Sequence, residues 1–299
     1  MDLRNKRIAI LGATSHIAKG LALNFLKDGS GEVFLFSRVP GKVSRFLKEY
    51  APEKGWHNDG FKEFRNGKYD VVINCVGLGA PSRISREGAN IFSLTEKFDD
   101  LVLRYLKLHP RAVYINFSSG AVHTITPGVL KPEHFYGIAK LYQEAKHRVL
   151  TEFNIVDIRV FSYFSRFIDL DSGYFLTELI KCIKRGSVFV TTPCDFTRDF
   201  LSSEDLYRLV RLVIRARPFN DVVEAYSSKT VSKFELLDYF SRKHSLRYKV
   251  KQGVRLNCPT GRKDKYFSTS NKAKVLLGYK PKFSSLQTVM KEAGYLLDG

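Results

Sequence analysis

Near its start the sequence runs Arg7-Ile8-Ala9-Ile10-Leu11 straight into Gly12-Ala13-Thr14-Ser15-His16-Ile17. The first block is a short apolar run that reads as a buried strand. From about Ile17 to Lys27 the pattern turns helical, with Leu21, Ala22, Phe25 and Leu26 on one face. Strand, tight glycine turn and helix in immediate succession is the setting that a dinucleotide-binding turn requires. Gly12 permits the turn. The helix N-terminus offers unpaired backbone amides and positive dipole to a pyrophosphate. Ser15 and Ala18 stand where glycine is usual, and both are small enough for close backbone approach. Gly12, Thr14, Ser15, His16 and Ile17 are therefore expected to line a cofactor turn.

The pattern then repeats. Glu32-Val33-Phe34-Leu35-Phe36 reads as a second strand ending in Ser37-Arg38. In this arrangement the end of the second strand meets the adenosine ribose. A carboxylate there accepts from the 2′-hydroxyl, whereas Arg38 suits a 2′-phosphate, with Lys42 or Arg45 as helpers. Arg38 thus favours NADP over NAD. Asp70-Val71-Val72-Ile73-Asn74-Cys75-Val76-Gly77 is a third buried strand, and Cys75, Val76 and Gly77 should pass close to the cofactor. The stretch 77–88 reads as a loop and 89–108 as a helix. Strands alternating with helices predict an α/β doubly wound parallel sheet.

Ala112-Val113-Tyr114-Ile115-Asn116-Phe117 is another buried strand, ending in Ser118-Ser119-Gly120-Ala121-Val122. Beyond a polar loop, Tyr136-Gly137-Ile138-Ala139-Lys140 opens a helix. Ile138, Leu141, Ala145, Val149 and Leu150 have helical spacing and read as its packed face. Tyr136 and Lys140 lie one turn apart on one side. A phenol beside an ammonium has its anion favoured, so its pKa is expected to fall. With a serine hydroxyl at the strand end, this set suits proton transfer at an alcohol oxygen while a cofactor exchanges hydride. Tyr-x-x-x-Lys recurs by chance on helix surfaces, and a Ser-Ser pair often marks a turn. The set gains its meaning from the dinucleotide turn ahead of it.

The formal charge is +19. Such a balance invites a nucleic-acid or anionic-membrane partner. The bases are spread along the whole chain without a recognisable nucleic-acid motif, so a generally basic surface is expected and nucleic acid is not. No apolar run reaches membrane-spanning length. Cys75, Cys182, Cys194 and Cys258 are scattered without metal-ligand spacing. They are expected to be reduced thiols in a cytoplasmic protein, with no metal site.

Taken together, these blocks resemble the extended short-chain dehydrogenase/reductase family, in its nucleotide-sugar epimerase/reductase group. Gly12 to Ala18 resembles the family's cofactor turn, Ser118 to Val122 its Ser-Ser-x-x-Val strand end, and Tyr136 with Lys140 its Tyr-x-x-x-Lys motif. Asn90 sits where the family has a helix asparagine. Arg198-Asp199-Phe200 resembles its Arg-Asp-Phe block, and Leu277-Gly278-Tyr279-Lys280-Pro281 its C-terminal Leu-Gly-x-x-Pro element. The Asn and Tyr-Gly-Pro usual after the strand 155–161 are replaced by Ser162-Tyr163-Phe164-Ser165-Arg166.

The resemblance implies Ser119, Tyr136 and Lys140 as catalytic residues and a nucleotide-diphosphate sugar as substrate. Ser118, Ser119, Ser162, Arg198 and Arg262 are implied to contact it, the arginines at its diphosphate. It implies a Rossmann domain over residues 1–165 and about 195–228, with a smaller substrate domain over about 166–194 and 229–299. A 4,6-dehydratase carries Asp-Glu just after the strand-end residue, and Gly120-Ala121 here disfavours dehydration. Arg38 tilts the reading toward an NADPH-dependent reductase acting at C4, with an NAD-dependent epimerase as the alternative. A non-catalytic dinucleotide- or nucleic-acid-binding relative is the rival from another class. The resemblance also implies a homodimer that pairs the helices at about 89–108 and 136–153, and both carry apolar residues beyond those needed for one face, Leu103, Tyr105, Tyr142 and Phe153.

Overall fold

The computed structural model describes residues 3–52, 55–126, 128–253 and 261–298. Cys258 lies outside them. The chain begins β1 (Arg7–Leu11), α1 (His16–Asp28), β2 (Glu32–Ser37), α2 (Pro40–Tyr50), β3 (Trp56–Gly60) and β4 (Val71–Asn74). It continues α3 (Pro81–Glu87), α4 (Asn90–Leu108), β5 (Val113–Ser119), α5 (Phe135–Arg148) and β6 (Asn154–Val160). Then come β7 (Ser162–Tyr163), α6 (Phe175–Lys184), β8 (Phe189–Thr191), β9 (Thr197–Arg198), β10 (Phe200–Leu201) and α7 (Ser203–Arg215). It closes with β11 (Asp221–Ala225), β12 (Val231–Ser232), α8 (Lys233–His244), β13 (Tyr248–Val250), β14 (Lys265–Tyr266), α9 (Lys272–Leu277) and α10 (Ser285–Leu297).

Seven strands form one sheet in the order β11-β6-β5-β4-β1-β2-β3, every pair parallel. Parallel strands need covering on both faces, and the central strands are accordingly buried along most of their length and mainly apolar, with Asn74, Asn116 and Asp157 among the buried polar exceptions. Ile8, Ile10, Ile73, Ile115 and Val156 pack on one side with Leu21, Phe25 and Leu206. Ala9, Val72, Tyr114 and Ile155 pack on the other with Val102 and Leu106. Strand order reverses between β1 and β4, so a crevice opens beyond the carboxyl ends of those two strands. Gly12 and Cys75 stand at those ends.

A second apolar core lies in the later chain, with Leu176, Leu179 and Ile180 of α6 against Leu236, Leu237 and Phe240 of α8 and Val289 of α10. The chain reaches it through β7, which pairs with β10.

Three sequence expectations change here. The stretch 77–88 is not all loop, because Pro81 starts the seven-residue helix α3, anchored by buried Ile84. The face of α5 is inverted. Its buried residues are Gly137, Ala139, Lys140, Gln143, Glu144 and His147, while Leu141, Tyr142, Ala145 and Val149 are exposed. The polar face turns inward because it meets charged groups there. The imidazole of fully buried His147 lies 2.8 Å from Asp99 and 3.0 Å from Asp157. The third change concerns Leu103, Tyr105 and Phe153, which are packed inside the protomer and are not surplus.

Candidate active site

A cavity of about 1460 Å³ opens at the carboxyl ends of the sheet strands and extends to the second core. Gly12, Thr14, Ser15, His16 and Ile17 line it from the β1–α1 turn, Ser37 and Arg38 from the end of β2, and Cys75, Val76 and Gly77 from the end of β4. Ser118, Ser119, Tyr136, Lys140, Ser162, Arg198 and Arg262 also line it. The structure therefore brings these residues to one cavity, although not all with free side chains, whereas Lys42 and Arg45, expected as helpers to Arg38, do not line it.

Ser119 ends β5 and caps the short 3₁₀ turn after it, its hydroxyl accepting from the Ala121 amide at 3.2 Å. Gly137 lets α5 approach this turn. A Cβ on Gly137 would stand 2.8 Å from the Ala121 carbonyl oxygen and 2.7 Å from Ile125 Cδ1. That close approach carries Tyr136 to the strand end. Burial pushes the Tyr136 phenol above its ordinary value, and the Ser119 hydroxyl opposes the rise. The expected lowering by Lys140 is not seen. The Lys140 ammonium is turned to β5 instead, donating to the Phe117 carbonyl at 2.8 Å. Burial also depresses the Lys140 pKa, against the pull of Asp157, Asp99 and Glu144.

The sequence did not single out Tyr266. From β14 its hydroxyl lies 3.0 Å from Ser119 Oγ. Burial holds this phenol protonated. Tyr174, which also lines the cavity, donates to the Gly79 carbonyl at 2.7 Å and so ties the entrance of α6 to the segment after β4.

The implied substrate contacts differ in availability. Ser118 turns to α5 and donates to Glu144, which is also held by Arg159. Arg198 donates to the backbone carbonyls of Lys263 and Asp264 and stacks over Phe196. Arg262 is exposed at the rim, 2.8 Å from Asp264. Asn90 also lines the cavity.

The residues at the β1 and β2 ends fit a dinucleotide. Gly12 has φ +78°, and a Cβ there would stand 2.9 Å from the backbone of Cys75 and Val76, so the turn is held flat against the end of β4. Ser15 caps α1, whose first-turn amides have no intrahelical acceptor. His16 Nδ1 and Ser37 Oγ are buried without a hydrogen-bond partner among the described residues. Burial lowers the His16 pKa to about 4, so that ring is neutral at pH 7. Arg38 is exposed beside Ser37. No group of three His, Cys, Asp or Glu among the described residues could hold a metal.

A parallel sheet with a glycine turn, and a serine, tyrosine and lysine gathered at the end of β5, defines an extended short-chain dehydrogenase/reductase. The chain belongs to the NAD dependent epimerase/dehydratase family, which matches residues 8–226. No curated protein matches the sequence. Several solved structures share the fold across nearly the whole chain. UDP-glucose 4-epimerase from Thermotoga maritima has TM-score 0.78 and 15% identity, covering 97% of this chain and 98% of its own. UDP-glucuronic acid 4-epimerase from Bacillus cereus, in complex with UDP-glucuronic acid and NAD, has TM-score 0.78 and 19% identity, with 97% and 98% covered. UDP-N-acetylglucosamine 4-epimerase from Methanobrevibacter ruminantium has TM-score 0.79 and 16% identity, covering 100% and 99%.

Proposed function

We propose that the protein is an NAD-dependent epimerase of a nucleotide-diphosphate sugar, acting at C4. The observation that carries this reading is the convergence of Ser119, Tyr136 and Lys140 with the β1–α1 turn in one cavity. The family match and its structural neighbours favour epimerisation over the reduction suggested by Arg38 alone. The reductase reading is less well supported on that ground and is kept as the second reading, because Arg38 stands at the cavity without a carboxylate partner among the described residues. Dehydration is disfavoured by packing as well as by residue type. A Cβ at Gly120 would stand 2.3 Å from the Phe161 ring, leaving no room for an acidic side chain there.

A bound nicotinamide dinucleotide supplies the hydride exchange at the sugar carbon. The chain's residues hold the cofactor and manage the proton. The β1–α1 turn and Ser37 hold the dinucleotide. Ser119 donates to the reacting sugar oxygen and orients it. Tyr136 takes or returns the proton at that oxygen. Lys140, fixed by the Phe117 carbonyl, would orient the cofactor ribose, and the positive charge of an oxidised nicotinamide would favour the phenolate of Tyr136. The second core holds the sugar nucleotide, with Arg198 and Arg262 toward its diphosphate. The exposed apolar stripe on α5 is the face of a homodimer.

The test is direct. Denatured protein is assayed for released NAD or NADP by mass spectrometry. The native protein is then given UDP-glucose, UDP-glucuronic acid and UDP-N-acetylglucosamine without added cofactor, and the sugar is followed by NMR. Appearance of the 4-epimer, with NAD retained, is the expected result. Stoichiometric NADPH consumption on a keto-sugar without any epimer would move the protein to the reductase reading.

A further inference from the structure

Two stretches of the chain carry cations with no carboxylate among them. Between Leu179 and Cys194 stand Lys181, Lys184 and Arg185 without any Asp or Glu, and the same holds between Tyr239 and Lys263, where Lys243, Lys249 and Lys251 lie. The fold lays β8 of the first beside β13 of the second. β8 and β13 pair in parallel, with Phe189 N donating to the Arg247 carbonyl and Lys251 N to the Thr191 carbonyl, both at 2.8 Å. The Arg247 guanidinium donates to the Gly186 carbonyl. Lys181 is paired with Glu178 and Arg242 with Asp238. Exposed Lys184, Arg185, Lys249 and Lys251 have no carboxylate partner among the described residues.

Apolar side chains are interleaved with these cations. Val188, Val190, Tyr248 and Val250 are 37%, 40%, 37% and 45% exposed. Lys249 pairs with Val190 across the ladder, so a cation and a valine share one face. Val188 and Val190 also line the cavity, which places this ridge at its rim.

We propose that the β8–β13 ridge docks the protein peripherally on an anionic phospholipid bilayer. Clustered lysines and arginines are drawn to a negatively charged leaflet, and each adds to the attraction within a Debye length. The exposed Val190 on the face of Lys249, with Val188 two residues before it, can enter the headgroup boundary, which a purely cationic patch cannot. A nucleic acid would satisfy the charges but leave the valines exposed, with one tyrosine available for stacking. No helix among the described residues is long and apolar enough to cross a membrane, so the attachment is superficial. Docking brings the cavity rim to the lipid surface. This inference does not depend on the proposed reaction.

The experiment is vesicle flotation of the full chain with pure phosphatidylcholine or with phosphatidylcholine mixed with phosphatidylglycerol, at low and high salt. Binding is expected to the anionic vesicles only and to weaken with salt. The quadruple variant Lys184→Glu, Arg185→Glu, Lys249→Glu, Lys251→Glu should reduce it at least about tenfold. Lys27→Glu with Lys68→Glu, two exposed changes elsewhere, should not. The double variant Val188→Ser, Val190→Ser retains the charge and should also reduce binding, which keeps the proposal open to refutation if the quadruple variant fails to fold. No binding to anionic vesicles, equal loss in the Lys27/Lys68 variant, or displacement from the vesicles by a short RNA that binds more tightly would each overturn it.

Discussion

Lys140 and Leu141 are neighbours in the chain and face opposite ways. Lys140 is 4% exposed, whereas Leu141 is 37% exposed. With Tyr142, Ala145 and Val149, Leu141 forms an apolar stripe along α5 that the protomer leaves uncovered. Light scattering should report a dimer at micromolar concentration. Leu141→Glu with Tyr142→Glu should shift it to monomer while circular dichroism stays unchanged. A wild-type mass of one protomer, or a dimer indifferent to both changes, removes α5 as the interface.

Tyr136→Phe keeps the ring and its packing but removes the ionisable oxygen. Turnover should fall by roughly two to four orders of magnitude, the usual worth of a positioned acid or base. Retained cofactor and melting temperature should be unchanged. A variant that turns over near the wild-type rate would take the proton-transfer role away from Tyr136.

Gly137→Ala tests the approach of α5 to the strand end. The added Cβ would press on the Ala121 carbonyl at 2.8 Å, so α5 and Tyr136 must shift. A displacement of about 1 Å at a reacting group costs on the order of a hundredfold in rate. The expected outcome is a loss of at least about tenfold in kcat, with bound cofactor retained. Unchanged kcat would show that the close approach is not what seats the tyrosine.

Arg38→Asp addresses the ribose end. If Arg38 meets a 2′-phosphate, the change should weaken NADPH binding far more than NADH binding, read by fluorescence titration. Equal effects on both cofactors would remove Arg38 from that contact and leave it a solvated arginine after β2.

His147 gives a pH dependence. Burial opposes its charge, but hydrogen bonds and attraction from Asp157 and Asp99 outweigh that and raise its pKa to about 9. Its folded value lies above the ordinary 6.5, so its stabilisation is complete below about pH 6.5 and is lost as pH rises through about 9. The contribution is on the order of a few kcal/mol. Melting temperature should therefore fall between pH 6.5 and 9.5, and the fall should be shallower in His147→Gln. Parallel profiles for the two proteins would mean that the imidazole is not the titrating group.

The sequence showed the fold where burial is one-sided in chemistry. Val71-Val72-Ile73 and Ile8-Ala9-Ile10-Leu11 are continuous apolar runs and sit at the centre of the sheet. The edge strands were not seen. β3 is Trp56-His57-Asn58-Asp59-Gly60, with Trp56 as its one apolar side chain and only alternate positions partly covered. β11, with Asp221 and Glu224, ends the opposite edge. Helix α5 was found but its inward face was misread, because periodicity assigns apolar residues to the core and cannot see carboxylates waiting on a facing helix and strand. In the site, Gly12, Ser119, Tyr136 and Lys140 were legible because each belongs to a short local pattern, a strand end or a single helical turn. Tyr266 was not, since its contact with Ser119 spans 147 residues. Arg262, earlier in the same segment, was its nearest signal.

The two walls of the cavity are anchored differently. Ser119 and Tyr136 ride on the seven-stranded sheet, whereas Tyr266 and Arg198 hang from β12, β9 and β14, three strands of two residues each. So short a ladder holds few hydrogen bonds, and its loosening would leave the large sheet intact. A chain beginning to melt would keep its grip on the nucleotide at the glycine turn while the opposite wall drifts. Early heat damage would then register as lost discrimination between ligands, well before any loss of the cofactor itself.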